Sequence, residues 1–268
     1  MKLFVIGCGN MAGAMVKGIQ SSGVELFDDI GIVNRSREKV EPLLSEGVSF
    51  WNDLESAMDF MDDQTMVMLG VKPQQLDPVF EQLNERIPAG ALVLSIVAGV
   101  SLARLKESTG HEAVVRVMPN TPTLVGEGVS GWMASESVDN NWRTVVVNML
   151  ESFGSAVEVA SDDEMDALSM ISGCGPAYVF YFLESLIEGG IKLGLSEKQA
   201  LDLAIETFKG GAELAREATS LIDLKKLRAN VTSKGGVTEQ AIRVFDEHLL
   251  KGTIEMAMKA GYDRSKEL

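Results

Sequence analysis

Two glycine turns, one at each end of this 268-residue chain, hold the residues best suited to chemistry. The first follows an apolar run, Lys2-Leu-Phe-Val-Ile-Gly7-Cys8-Gly9-Asn10-Met11-Ala12. Gly7-x-Gly9-x-x-Ala12 is the strand-to-helix pattern that cradles a dinucleotide pyrophosphate. Gly7 permits the tight turn, Gly9 admits the phosphates, and small Ala12 lets helix pack on strand. Asn10 and Met11 then open a helix whose free N–H groups and positive dipole end favour an anion, and Cys8, between the two glycines, is expected to contact the cofactor as well. The second turn is Asn230-Val231-Thr232-Ser233-Lys234-Gly235-Gly236-Val237-Thr238. Two readings stand for it. Ser233 or Thr238 caps the next helix, or the glycine pair forms a nest of N–H groups for an anion such as a carboxylate.

Elements that would position the first turn are legible along the chain. Apolar runs at 3–6, 31–33, 66–69, 92–95 and 114–117 alternate with helical patterns at 11–21, 37–45, 53–60, 76–86 and 102–108. This is the signature of βαβ units and a parallel sheet. Two further strands, at 129–133 and 156–159, flank a helix at 139–152 and extend the sheet at its edge. After Ser161, which caps the acidic run Asp162-Asp163-Glu164, helical periodicity takes over at 177–193, 197–219, 222–228 and 237–259. The expected fold is α/β, a Rossmann-like doubly wound sheet at residues 1–160 followed by an all-helical domain at 161–268.

Ligands of such sheets bind at the carboxyl ends of the strands. Val71, Lys72 and Pro73 follow the third run, and Val97 and Ala98 the fourth, so both segments should line the nicotinamide half. Asn120, in Arg116-Val-Met-Pro-Asn-Thr-Pro122, sits on a proline-stiffened loop expected to face the cofactor. The second strand ends in Asn34-Arg35-Ser36 in place of the carboxylate that holds the ribose of NAD. A guanidinium flanked by two hydrogen-bonding residues suits a 2′-phosphate. NADPH is therefore expected, with NADH as the alternative; the competing reading makes Arg35 a solvated residue at the entry of the following helix.

Composition excludes several classes. A net charge of −15 argues against nucleic-acid or anionic-membrane partners. Two distant cysteines, Cys8 and Cys174, form no metal or disulfide motif, and His111 and His248 lack further ligands at metal spacing, so no metal and a cytoplasmic location are expected. No signal peptide or long uncharged apolar span is evident. In the helical half, Gly189-Gly190 and Gly210-Gly211 each cost about 1 kcal/mol per glycine unless helices approach closely there. A broad stripe around Tyr178, Phe182 and Leu186, flanked by Phe180, Tyr181 and Leu183, is either an internal core or a subunit interface.

Taken in order, Ile6-Gly-Cys-Gly-Asn-Met11, Val71-Lys-Pro-Gln74, Arg116-Val-Met-Pro-Asn-Thr-Pro122, Ser172-Gly-Cys-Gly-Pro-Ala-Tyr-Val-Phe180 and Val231-Thr-Ser-Lys-Gly-Gly-Val-Thr238 resemble the pyrroline-5-carboxylate reductase family over essentially the whole chain. The resemblance implies NAD(P)H-dependent reduction of a cyclic imine, 1-pyrroline-5-carboxylate, to L-proline, the last step of proline biosynthesis. It implies that Ser233, Gly235, Gly236 and Val237 hold the substrate carboxylate. Thr238 Oγ, the catalytic candidate, would hydrogen-bond the ring nitrogen, and Asn230 would lie near the cofactor. It also implies a homodimer through the helical domain, and higher ring assemblies. The chain departs from the family pattern at Cys174, Lys234 and Val237, where Ser, Pro and Thr are usual. A β-hydroxyacid dehydrogenase, which shares the domain order, would need a lysine early in the second domain. None occurs between Gly173 and Lys192. The other alternative is a non-catalytic NADP-sensing protein that kept the fold.

Overall fold

The computed structural model describes residues 1–44 and 47–266. Eight strands form one sheet in the order β3-β2-β1-β4-β5-β6-β7-β8. These are β1 (Lys2–Ile6), β2 (Asp29–Val33), β3 (Val48–Trp51), β4 (Thr65–Leu69), β5 (Leu92–Ser95), β6 (Val114–Met118), β7 (Gly128–Ala134) and β8 (Gly154–Glu158). Every neighbouring pair is parallel except β6 and β7, which run antiparallel.

All five residues of β4 are buried, the pattern of a parallel strand covered on both faces. Successive side chains take opposite faces. Leu3 and Val5 meet α1 (Asn10–Ser21) and α4 (Asn140–Glu151) through Met15, Val16, Val146 and Met149. Phe4 and Ile6 face α2 (Leu76–Leu83) and α3 (Leu102–Thr109) through Leu76, Phe80 and Leu105. Asp139 caps α4, its Oδ1 accepting from Trp142 N–H at 2.8 Å.

Three expectations for this half need correction. No helix spans 37–45: the segment turns through a short 3₁₀ stretch, Glu41–Leu43, and Ser45 lies outside the described residues. Pro42 has no N–H to continue a helix and disfavours helical backbone at Glu41. The pattern at 53–60 yields only a 3₁₀ helix, Glu55–Phe60. Between them lies β3, an unforeseen edge strand whose Val-Ser-Phe-Trp is too short and half-buried to show a period.

Two compact units emerge, Met1–Pro176 with the segment from Arg264 onward, and Ala177–Asp263. The division falls later than the expected 160/161 because α5 (Asp162–Ile171) packs on the sheet. Met165 joins Met133 in a small core, and a side chain at Gly131 would lie 2.7 Å from Leu168 Cδ2. Ser161 caps α5 as expected, accepting from Glu164 N–H at 3.1 Å, while Glu164 accepts from Ala160 N–H at 2.8 Å.

The second unit is helical: α6 (Gly175–Lys192, entered from the first unit), α7 (Glu197–Ala215), α8 (Leu221–Asn230), α9 (Val237–Glu247) and α10 (Leu250–Ser265). The single helix expected at 237–259 is broken at Leu249, which takes a left-handed φ of 54°. Close helix approach occurs at Gly190, whose absent Cβ would lie 3.3 Å from Ala200 Cβ; Gly189, Gly210 and Gly211 face open space. No residue of α6 is buried, so its apolar stripe is not the core of this copy. Within residues 162–192 an 18-residue window reaches a mean hydropathy of 1.2, enough by composition alone to cross a membrane, but the stretch is two helices, α5 and α6, and α5 packs on the sheet.

Candidate cofactor and substrate sites

The carboxyl ends of parallel β1, β2, β4 and β5 share one edge of the sheet, so the loops after Ile6, Val33, Leu69 and Ser95 emerge together. Between β1 and β4 the chain order reverses, the place where open α/β sheets bind ligands. Gly7 takes φ 84°, and a Cβ there would lie 2.4 Å from Val71 Cγ1 and 2.8 Å from Val71 N. Gly70, which sequence reasoning passed over, is equally constrained: a Cβ would lie 2.5 Å from Gly7 O and 2.8 Å from Ala12 Cβ. Ala12 is buried against it, as its small size requires. Val71 therefore wedges the turn.

Gly9 differs in kind. No protein atom lies within 4 Å of where its Cβ would be. It is the N-cap of α1, with no capping side chain and no acidic residue in the first turn. The first helical bond runs from Gly13 N–H to Gly9 C=O at 2.8 Å, so the N–H groups of Asn10 and Met11 precede it. An open, uncapped helix start beside a wedged turn fits a pyrophosphate.

The structure reassigns several neighbours. Cys8 is buried, and its thiol is pushed up to about 11 by that burial, which keeps it protonated and unreactive near neutral pH. Its N–H donates to Asn34 Oδ1 at 3.1 Å, while Asn34 Nδ2 donates to Ser36 C=O at 2.9 Å. Asn34 thus clasps the two loops, and neither the Cys8 N–H nor the Asn34 amide faces a ligand as expected. Arg35 is exposed, and because no helix follows, it is not a helix-entry residue. Arg37 is engaged, its Nε donating to Glu41 at 3.0 Å with the guanidinium over the Phe50 ring.

At the other loops, Lys72, Pro73 and Ala98 are exposed. Val97 is 3% exposed, packs into the core, and donates its N–H to Ser95 Oγ at 3.2 Å. Its side chain supports the loop from below, which leaves its backbone carbonyl for the groove. Asn120 is also redirected. Buried beneath its loop, it donates to Ser172 C=O at 2.9 Å and accepts from Val129 N–H at 2.8 Å. Its amide joins β7 to the end of α5 and is not open to a cofactor. Arg116, 6% exposed on β6, adds a second tie by pairing with Asp162 and Asp166 of α5.

The second turn lies in the helical unit. Gly236 is the N-cap of α9 and carries no side chain, so neither Ser233 nor Thr238 caps the helix; both are exposed. The capping alternative falls away. Gly235 takes φ 75°, and a Cβ on Gly236 would lie 2.9 Å from Ser233 O. The N–H groups expected to face an anion are distributed differently, however. Gly236 N–H donates to Ser233 C=O at 2.9 Å, and Gly235 N–H donates to Glu239 Oε2 at 2.7 Å. The first helical bond of α9 is Gln240 N–H to Gly236 C=O at 3.4 Å, so the N–H groups of Val237 and Thr238 lie ahead of it. Val237's side chain points to solvent at 90% exposure, which leaves only its backbone for a ligand. Asn230 closes α8 and is exposed.

Comparison with known proteins matches residues 162–268 to a family described as pyrroline-5-carboxylate reductase dimerisation, and residues 2–99 to one described as NADP oxidoreductase, coenzyme F420-dependent. The chain is 37% identical to the pyrroline-5-carboxylate reductase of Haemophilus influenzae, over 98% of this chain and 96% of that protein. Identity with the Pseudomonas aeruginosa reductase is 33%, over 100% of this chain and 96% of the relative. Among solved structures, the Plasmodium falciparum pyrroline carboxylate reductase with NADP bound superposes with a TM-score of 0.86 at 29% identity, covering 100% of this chain and 97% of that one. The Coxiella burnetii pyrroline-5-carboxylate reductase gives 0.86 at 34% identity, covering 99% and 97%.

Proposed function

The chain belongs to the pyrroline-5-carboxylate reductase family, and from that premise we infer that it reduces 1-pyrroline-5-carboxylate to L-proline, the closing step of proline biosynthesis. NADPH, when bound, supplies the hydride that ends on the imine carbon. The chain's own task is to bind and orient. Asn10 and Met11 N–H groups, at the open start of α1, take the pyrophosphate, with Gly9 leaving room for it. The guanidinium of Arg35 takes the 2′-phosphate. Lys72, Pro73 and Ala98 line the nicotinamide half, and Asn230 approaches the cofactor.

The substrate is an anion carrying an electrophilic ring. The positive end of α9 holds its carboxylate through Val237 and Thr238 N–H groups and the Ser233 hydroxyl, with Gly235 as a further donor. Thr238 Oγ hydrogen-bonds the ring nitrogen, which keeps the proton that makes the imine carbon electrophilic. No nucleophile or metal is required, so rate comes from alignment of the two reactants. The observation that most supports this reading is the pair of exposed hydroxyls, Ser233 and Thr238, beside a helix start that neither caps.

Thr238→Ala should raise KM for the imine about tenfold or lower kcat correspondingly, with the NADPH dissociation constant unchanged. Steady-state kinetics together with cofactor fluorescence titration check this. An equal loss in cofactor affinity would show Thr238 to be misassigned.

Assembly follows from the helical unit. Tyr181 is 72% exposed, Phe180 58% and Leu203 57%, an apolar surface that a second copy would cover. The homodimer through this unit is the basic assembly, and rings of dimers build on it. Two unpaired thiols, Cys8 and Cys174, suit the cytoplasm.

A further inference from the structure

The donor that a substrate carboxylate would seek at Gly235 is already in use by another carboxylate. Glu239 is the third residue of α9, and its side chain turns back over the helix start so that Oε2 accepts from Gly235 N–H at 2.7 Å. In a capping box an acid at this position reaches the N-cap N–H while the N-cap side chain answers with a bond of its own. Here the contact is one-sided and displaced. Gly236, the N-cap, has no side chain to answer with, and its own N–H is closed on Ser233 C=O at 2.9 Å. The acid instead reaches one residue further, to the left-handed Gly235 at φ 75°. The loop thus holds a carboxylate supplied by its own chain.

We propose that Glu239 is a specificity-determining residue that competes with carboxylate ligands for the Gly235 N–H, weakening the hold on both the imine substrate and the proline product. The proposal rests on the reading of residues 233–238 as the carboxylate site. One N–H shared between two carboxylates serves each poorly, and two like charges in contact repel. Substrate binding through Gly235 therefore displaces the Glu239 carboxylate, and return of that carboxylate helps to expel proline, which bears the same anionic group. The enzyme gives up affinity and gains product release. A ligand of the same ring without a carboxylate has no quarrel with Glu239.

The test compares Glu239→Ala and Glu239→Gln with the unmodified protein, using 1-pyrroline-5-carboxylate, L-proline as inhibitor, and 1-pyrroline, which lacks the carboxylate. The alanine variant should lower both KM for 1-pyrroline-5-carboxylate and the inhibition constant of proline by about three- to tenfold. KM for 1-pyrroline and for NADPH should not move. The glutamine variant, whose neutral amide oxygen still accepts but does not repel, should fall between. A purely capping role predicts the opposite sign: KM for the carboxylate substrate rises or stays constant in the alanine variant as melting temperature drops, with glutamine restoring both. That result would overturn the proposal. Ser233→Ala, run in parallel, separates the two levels. If it leaves KM for 1-pyrroline-5-carboxylate unchanged, the carboxylate site itself is misplaced. If it raises KM while Glu239→Ala fails to lower it, only the competitor role is wrong.

Discussion

Gly9→Ala should weaken cofactor binding severely in a protein that folds normally. The backbone of Gly9 is extended, with φ −82°, and an added methyl meets no protein atom within 4 Å. Thermal unfolding should therefore be unchanged. The same methyl enters the space proposed for the pyrophosphate at the start of α1, so NADPH affinity should fall about 100-fold, or about 2.8 kcal/mol. Gly7→Ala makes the instructive contrast. Its left-handed φ of 84° and the 2.4 Å approach to Val71 Cγ1 put the strain in the fold itself. That variant should lose stability by about 1–3 kcal/mol or more, whether or not cofactor is present. Differential scanning fluorimetry with and without NADPH distinguishes the two. A Gly9→Ala protein that binds NADPH normally would place the pyrophosphate elsewhere.

Arg35→Ala should convert a cofactor preference into indifference. The side chain is exposed just beyond β2, in the position where a carboxylate would otherwise hold the ribose of NAD. On the proposed role of this guanidinium at the 2′-phosphate, its loss should weaken NADPH about 10- to 100-fold and leave NADH within about twofold. Paired dissociation constants for the two cofactors give the answer directly. Equal weakening of both would assign Arg35 to some part of the dinucleotide other than the 2′-phosphate.

The Gly7/Gly9 turn was readable because each of its constraints is local: a strand, a positive φ and a helix start within a dozen residues. Gly70 was not, since its need for glycine arises from Gly7 O and Ala12 Cβ, which only the pairing of β1 with β4 brings against it. The same holds for polar residues. Asn34 and Asn120 looked like ligand contacts because amides in loops commonly are, but topology handed each a buried backbone group to satisfy. Leaving such a buried N–H or C=O unpaired would cost about 1–3 kcal/mol. The inward side chain of Val97 went unread for a simpler reason. A β-branched residue in a loop carries no label saying whether its side chain turns inward.

Element boundaries failed where the signal was weakest. β3 has four residues at the sheet edge, and the break before α10 falls on Leu249 without glycine or proline to announce it. Pro42, by contrast, was present and decisive against the helix at 37–45. The contact between Glu239 and Gly235 was legible in principle, as an acid in the first turn of a helix following a glycine pair. Its meaning needed the structure, which shows that Gly236 rather than Ser233 is the cap.

The reading that matters most is that this chain reduces the cyclic imine with NADPH. Its most direct test is initial-rate NADPH oxidation by purified protein with 1-pyrroline-5-carboxylate, run beside 3-hydroxyacids with NADP+. The expected result is saturable turnover of the imine with L-proline as product, and none of the hydroxyacids. A protein that binds NADPH but leaves the imine unreduced would contradict it.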